Sequence, residues 1–175
     1  MPRPAPSAAA LASVALAAAV LACVGPGSER ARQEKLAREL DGIRYEQPLD
    51  TVWTTVIRLL ADRGYPLAGK DAELVGQSVN LYDRLTSKAR ETETAKDGTR
   101  TLETGWLAGI RYRAEARPDG RVAFTKIHED LTEHRRDAAS EPGVEMGLAL
   151  AQRLAPDKAA RIEAAAGSGD SGGRR

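Results

Sequence analysis

Apolar residues that recur every three or four positions predict one clear helix in the middle of the chain. They fall on one broad face: Leu49, Val52, Trp53, Val56, Ile57, Leu59 and Leu60. Pro48 suits the first turn of a helix, and Gly64 suits the position just past its end. The pattern therefore predicts a helix over residues 48–63, whose apolar face needs a sheet to cover it.

Alternating apolar and polar residues predict strands on either side of a charged region. Residues 43–46 are typical of a short first strand, residues 69–71 of a turn, and residues 74–82 of a second strand. Residues 83–99 are highly charged, which suggests either a long hairpin tip or a poorly ordered loop. Within that stretch, Asp97-Gly98 is a turn signal.

The second half of the chain predicts a tight hairpin. Residues 102–106 place Leu102, Thr104 and Trp106 on one face of a strand, and residues 110–116 alternate in the same way. Pro118-Asp119-Gly120 then favours a hairpin turn.

The returning strand begins with Val122 and Phe124 in phase, but Ile127 falls out of phase with them. One extra residue in a strand shifts its alternation, so we predict a β-bulge near residues 125–126.

Amphipathic patterns near the carboxyl end predict a helix over about 143–154 and a short final helix over about 157–165. Residues 166–175 are rich in glycine and serine, and we expect them to be disordered. The predicted fold class is α+β. It is a two-layer sandwich with about four mainly antiparallel strands and two helices packed on one face.

The amino-terminal region predicts where the protein is located. Residues 8–22 are apolar apart from Ser13, and they lead into Cys23, the only cysteine of the chain. The turn-forming residues 25–28 come next, and then a charged segment. An apolar stretch of roughly 7–15 residues with small residues before a cleavage site is typical of a secretory signal.

Residues 20–23, Val-Leu-Ala-Cys, resemble the lipobox of bacterial lipoprotein signal peptides. The resemblance implies that Cys23 carries several acyl chains and becomes the first residue of the mature protein, which gives durable membrane attachment. Val24 stands where an aspartate would often signal inner-membrane retention in proteobacteria, so the outer membrane, facing the periplasm, is favoured. The alternatives are a transmembrane anchor, for which the apolar run is short, and a cleaved signal without lipid.

Composition narrows the list of partners. The chain has 26 Lys+Arg against 25 Asp+Glu, so we expect no nucleic-acid partner. With Cys23 lipidated, no thiol remains for disulfides or metal binding. Residues 28–40 are dense in charge, with only Leu36 and Leu40 at apolar spacing, and predict a solvated helical or disordered spacer between lipid and domain.

Few residues suggest chemistry. His128, Glu129 and His134 could hold a metal, but in a strand the two imidazoles would lie about 20 Å apart, which is too far for one ion. Glu91 and Glu93 lie in a very hydrophilic stretch. We therefore expect no metal, no cofactor and no catalytic residue, with a metal-dependent hydrolase using the His128–His134 region as an alternative.

Two further sets of residues suggest binding. Trp53 and Trp106 could line a groove for a ligand or partner, although core packing is the simpler interpretation of both. Arg111, Arg113 and Arg117 lie on one face of a predicted strand and could bind anionic groups. A solvated sheet face is the simpler interpretation here too.

Residues 45–67, with Trp53, the Leu59-Leu60 pair and Gly64-Tyr65, resemble a helix of small envelope lipoproteins. The order of elements over about 43–165, a strand, a helix, several strands and carboxyl-terminal helices, is also similar to the helix-grip domains of a lipoprotein component of the barrel-assembly machinery. This resemblance carries no catalytic motif. The predicted organisation is a signal peptide (1–22), a lipidated spacer (23–42), an α+β domain (43–165) and a tail (166–175). The function predicted is a membrane-anchored, non-enzymatic binding or scaffold module with an unknown envelope partner, or alternatively a small-ligand carrier.

Overall fold

The fold is α+β, and it is built around an open antiparallel sheet in which the strands follow one another in chain order. The computed structural model describes residues 26–77, 88–128 and 139–167. Within these ranges the elements are α1 (Pro26–Asp41), α2 (Leu49–Asp62), α3 (Gly69–Leu74), β1 (Arg90–Thr94), β2 (Arg100–Glu103), β3 (Ile110–Ala116), β4 (Val122–His128), β5 (Ser140–Pro142), α4 (Val144–Leu154) and α5 (Pro156–Gly167). The predicted fold class is confirmed, with five strands rather than about four in the described residues.

The core lies between one face of the sheet, which we call the inner face, and helices α2 and α4. Helix α2 begins one residue after Pro48 and buries the apolar face that its sequence pattern predicts. The inner face contributes alternate residues of β2, β3 and β4: Leu102, Tyr112, Ala114, Ala116, Val122 and Phe124. Burying a large aliphatic or aromatic side chain contributes about 1.5–3 kcal/mol, so this layer dominates stability.

Strands β3 and β4 pair without interruption, from Ile110 opposite His128 to Ala116 opposite Val122. The predicted bulge near residues 125–126 is therefore wrong. Ile127 is out of phase because it is buried on the other face, the outer face, opposite Arg111. Both faces of β4 therefore bury apolar side chains. In the sequence, a regular strand that is buried on both faces gives the same change of phase as a strand with a bulge.

The predicted first strand at residues 43–46 is absent from the sheet that the structure describes. Ile43 and Tyr45 are buried, but this segment is a loop whose Tyr45 N–H donates to the Gly120 carbonyl at 2.9 Å. The loop therefore packs onto the β3–β4 turn instead of pairing along a strand. The turn itself forms where Pro118-Asp119-Gly120 predicted it.

Helix α1 belongs to the folded unit. Leu36 and Leu40 are buried, and α1 packs against α4 and α5. The Lys35 ammonium also donates to the Ala165 carbonyl of α5 at 2.5 Å. The prediction of a solvated spacer is thus wrong for the second half of α1. Its two leucines, four residues apart, are enough to pack this part of the helix against α4 and α5.

Helix α3 replaces the turn predicted at residues 69–71, and it ends at Leu74 where a strand was predicted. Val79 and Leu81 of that predicted strand lie outside the described residues. Strand β1 forms part of the stretch predicted as a hairpin tip or loop, and the turn at Asp97-Gly98 is confirmed.

Helix α3 lies against β1, one edge of the sheet. The Asp71 carboxylate accepts the Thr92 N–H at 2.6 Å and the Thr92 hydroxyl at 2.9 Å. That hydroxyl in turn accepts the Trp53 indole N–H at 2.9 Å. The chain Trp53–Thr92–Asp71 therefore fastens β1 to both α2 and α3.

The two carboxyl-terminal helices are confirmed, but the last one is longer than predicted. Helix α5 extends to Gly167 and buries Ala166, a residue assigned to a disordered tail by its composition. Residues 168–175 lie outside the described residues. Among the helices that the structure describes, none has the length and apolar character needed to cross a bilayer.

Candidate functional site

The lipidation candidate, Cys23, lies outside the described residues, which begin at Pro26. Helix α1 begins at Pro26, three positions beyond the cysteine. A chain of three residues spans at most about 10 Å. If Cys23 carries lipid, α1 starts that close to the point of attachment, and the part of α1 that packs on the fold follows from Lys35 onward.

The two tryptophans do not share a site. Trp53 is 4% exposed in the core, with its indole N–H bonded to Thr92. Trp106 is half-buried and lies under the guanidinium of Arg111, whose carbon is 4.9 Å from the ring centroid. Strand β2 ends at Glu103, so Trp106 does not continue the Leu102 face as the alternation predicted. The proposed groove lined by both tryptophans therefore does not form from these contacts.

His128 is the last residue of β4, and its Nε2 lies 3.0 Å from a carboxylate oxygen of Glu141. Glu129 and His134, its partners in the metal hypothesis, lie outside the described residues. Within the described ranges no group of three or more histidine, cysteine, aspartate and glutamate residues is placed to hold a metal ion.

Within the described residues, four charged side chains meet on the outer face. We call this cluster the arginine centre: Arg90, Arg111 and Arg113 around Glu103, with Trp106 beside them. Glu103 on β2 pairs in register with Arg90 on β1 and Arg113 on β3, so two arginines flank it in one row across the sheet. Oppositely charged cross-strand neighbours attract in this arrangement.

The distances define a fork around one carboxylate. Arg113 donates through Nε to Glu103 Oε1 at 2.8 Å, and Arg111 Nη1 lies 3.1 Å from Oε2. Arg90 is more distant, at 3.9 Å from Oε2. Glu103 is only 5% exposed. Its carboxylate is a charge-assisted acceptor that fixes the position of the surrounding guanidinium groups.

The arginine centre carries an excess of positive charge. Three guanidinium groups face one carboxylate, which leaves a formal local charge of +2. Glu93 and Glu115 lie in the neighbouring row of the sheet, where both are opposite Thr101 and not opposite Glu103. Glu115 is already paired with Arg117 at 2.9 Å.

Arg111 is the most constrained of the three arginines. Glu103 holds one edge of its guanidinium, and Trp106 lies against its face. Its Nε–H is buried and has no acceptor among the described residues. Leaving a buried donor unpaired costs about 1–3 kcal/mol. The contacts of the Arg111 guanidinium with Glu103 and Trp106 offset this cost and hold the side chain in place.

A second polar cluster joins the inner face to the start of α4. Tyr112 donates its hydroxyl proton to Glu145, and Lys126 lies 3.2 Å from Glu145 and 3.4 Å from Glu141. Tyr65 meets the Tyr112 ring edge to face, with centroids 5.0 Å apart.

The pKa values in this cluster favour fixed protonation states. Burial and the hydrogen bond to Glu145 raise the pKa of Tyr112 well above its usual range, so the phenol stays protonated. Burial opposes ionisation of Glu145, but the Tyr112 hydroxyl and Lys126 outweigh it and lower the pKa of that carboxyl. The cluster therefore acts as a polar clamp between sheet and helix.

A cavity of about 410 Å³ opens between the end of α1, the β4–β5 edge and the start of α4. Its walls include Leu40, Phe124 and Val144, and neither tryptophan contributes to them.

Sequence reasoning missed Glu103, the carboxylate at the centre of this site. Its available signal was position: it alternates with Leu102 and Thr104, so it had to lie on the face of Arg111 and Arg113. Arg90 lies on β1, whereas Arg111 and Arg113 lie on β3. Only the register of the strands therefore brings all three to one carboxylate.

No known protein family, no curated protein and no solved structure matches this chain.

Proposed function

We propose that this protein is a lipid-anchored, non-enzymatic binding module of the bacterial cell envelope, attached to the membrane through Cys23. The observation that carries the proposal is the position of Cys23: it closes an apolar run and lies three residues before a helix that is packed into the fold. Acylation at such a site would hold the folded unit at the lipid surface. The outer membrane, facing the periplasm, is the favoured location. The only reason is that Val24 stands where an aspartate would often signal inner-membrane retention in proteobacteria.

The chemistry of the arginine centre supports binding rather than turnover. A guanidinium remains protonated at any physiological pH, so it recognises anions without exchanging protons. Its carboxylate, Glu103, is engaged by arginines on several sides. Such a set of groups holds and orients a partner.

The membrane attachment is tested by Cys23→Ala, with Val24→Ala as the matched control. We expect the control to be acylated and to stay with membranes after a high-salt wash, and the Cys23 variant to lose the acyl groups and to keep residues 1–22 uncleaved. Mass spectrometry of the native protein should show an acylated cysteine at its amino terminus.

Two outcomes would refute the anchoring. One is a Cys23→Ala protein that still incorporates labelled palmitate. The other is a native protein that still carries Met1 or an unmodified Cys23. Blocking the lipoprotein signal peptidase with globomycin should also cause the uncleaved precursor to accumulate.

A further inference from the structure

We propose that the arginine centre on the outer face binds a phosphate group. The inference names a ligand class for the binding module proposed above, and it rests on that proposal only for its biological setting. Its physical basis is the local geometry of Arg90, Arg111 and Arg113 around Glu103.

The charge of the centre fits a phosphate better than a carboxylate. Glu103 neutralises one of three guanidinium groups and leaves a formal charge of +2. A phosphate monoester carries about −1.5 to −2 at neutral pH, whereas a carboxylate carries a single negative charge. Phosphate also offers several acceptor oxygens to guanidinium forks.

The donors are arranged before any ligand arrives. Glu103 and Trp106 hold the Arg111 guanidinium from two sides. Arg113 donates to the Glu103 carboxylate through two of its nitrogens. Side chains that are already ordered lose less conformational entropy on binding. The more exposed Arg90 and the half-exposed Arg113 leave donors accessible at the rim.

A purely structural role for these ion pairs predicts something different. In that case Glu103 would serve only to neutralise arginines, and changing it would alter stability without creating anion affinity. If the centre binds phosphate, Glu103 competes with the ligand for the same donors. Removing its charge should then strengthen phosphate binding. A purely structural Glu103 predicts no gain in phosphate affinity, only a change in the stability of the fold.

The test uses the full chain in a neutral detergent, titrated with inorganic phosphate at an ionic strength held constant with sodium chloride. Trp106 lies under Arg111, so its emission should change saturably. Trp53→Phe leaves Trp106 as the only tryptophan, since the chain has two. Calorimetry on the unsubstituted chain gives the affinity without relying on that variant.

A second arm distinguishes the source of the phosphate. The same protein is measured in micelles doped with phosphatidic acid, whose headgroup is a phosphate monoester, and in micelles doped with phosphatidylcholine. Binding to inorganic phosphate assigns a soluble phosphate ligand, and a response confined to phosphatidic acid assigns a lipid headgroup. Either result supports the inference.

Variants locate the site. Arg111→Gln and Arg113→Gln should each weaken binding about tenfold or more, because each removes a charge-assisted donor. Arg117→Gln is the matched control: it lies just past the end of the same strand but is paired with Glu115, and it should change affinity by less than about twofold. Glu103→Gln should tighten binding, because the glutamine amide oxygen can still accept from the guanidinium groups while the competing negative charge is lost.

The absence of a saturable response to phosphate and to phosphatidic acid would overturn the inference. So would an equal loss in Arg117→Gln, or a response that sodium chloride alone reproduces. None of these measurements depends on Cys23. A protein that binds phosphate but lacks lipid would refute only the proposed anchoring, and a lipidated protein without phosphate affinity would refute only this inference.

Discussion

Gly120 allows two parts of the chain to meet that no larger residue would permit. It has a φ of 83°, a conformation that residues with a Cβ seldom adopt. A Cβ at this position would lie 2.5 Å from the Tyr45 carbonyl oxygen. The hydrogen bond from the Tyr45 N–H to the Gly120 carbonyl therefore depends on glycine at the turn.

Gly120→Ala should lower the free energy of unfolding by about 2–4 kcal/mol, because it combines left-handed strain with a clash against backbone. Gly98→Ala is a matched control. It has the same φ of 83°, but its Cβ would meet only the Pro118 ring, at 3.1 Å. Urea unfolding should show a loss of about 1–2 kcal/mol for the control, and equal losses in the two variants would contradict the role assigned to Tyr45.

At the same scale, single residues explain which candidate sites the sequence could reveal. The arginines of β3 were recognisable because their alternation is local. Glu103 was not, because its burial comes from arginines on two neighbouring strands. Trp106 was placed on the wrong face because β2 ends three residues earlier, which alternation does not show.

Among the elements, α2 and the β3–β4 hairpin were predictable because each carries its signal within a few residues. The packing of α1 and the existence of α3 were not. Half of the residues of α1 are charged, and its two leucines indicate packing only once α4 and α5 lie beside it. A tertiary contact of this kind overrides a weak local pattern.

Leu40→Ala in α1 tests this directly. Leu40 is buried against Gly147 of α4, where a Cβ on the glycine would lie 3.2 Å from a leucine methyl. We expect a loss of about 2–5 kcal/mol in the free energy of unfolding. The neighbouring exposed variant Glu39→Ala should change stability by less than about 0.5 kcal/mol. Equal stability of both variants and the unsubstituted protein would mean that α1 is only a spacer.

The polar clamp of Tyr112, Lys126, Glu141 and Glu145, which joins β3, β4 and β5 to α4, should make stability sensitive to acid. The pKa values of Glu141 and Glu145 are lowered in the folded protein, the former mainly by His128 and the latter by Tyr112 and Lys126 against the opposing effect of burial. A lowered folded-state pKa contributes stability that is present above the ordinary value of 4.5 and lost as pH falls below it.

Glu145→Gln should therefore flatten the fall in the free energy of unfolding as the pH drops below about 4.5. Urea unfolding at a series of pH values measures this slope. Glu39→Gln, which changes an exposed carboxylate on α1, should keep the slope of the unsubstituted protein. An unchanged slope in Glu145→Gln would show that the clamp does not contribute to acid sensitivity.

The whole molecule has one sheet face covered by helices and one that carries the arginine centre. The alternation predicted this division, since apolar positions assign the inner face and charged positions the outer one. It did not predict how the charges are arranged, because register and strand order decide which residues become neighbours. Fold class therefore follows from pattern, while the site follows from pairing.

The hydrogen bond between Thr92 and Asp71 at the β1 edge would matter if the protein is anchored to a membrane as proposed. Copies tethered to the same bilayer would meet often and with few orientations, and exposed strand edges would then favour strand-to-strand aggregation. Asp71 occupies a backbone donor that an incoming strand would need, and the opposite edge is three residues long and ends in Pro142, which has no N–H. Crowding on a membrane would therefore leave these molecules as separate units, with their sheets unable to merge.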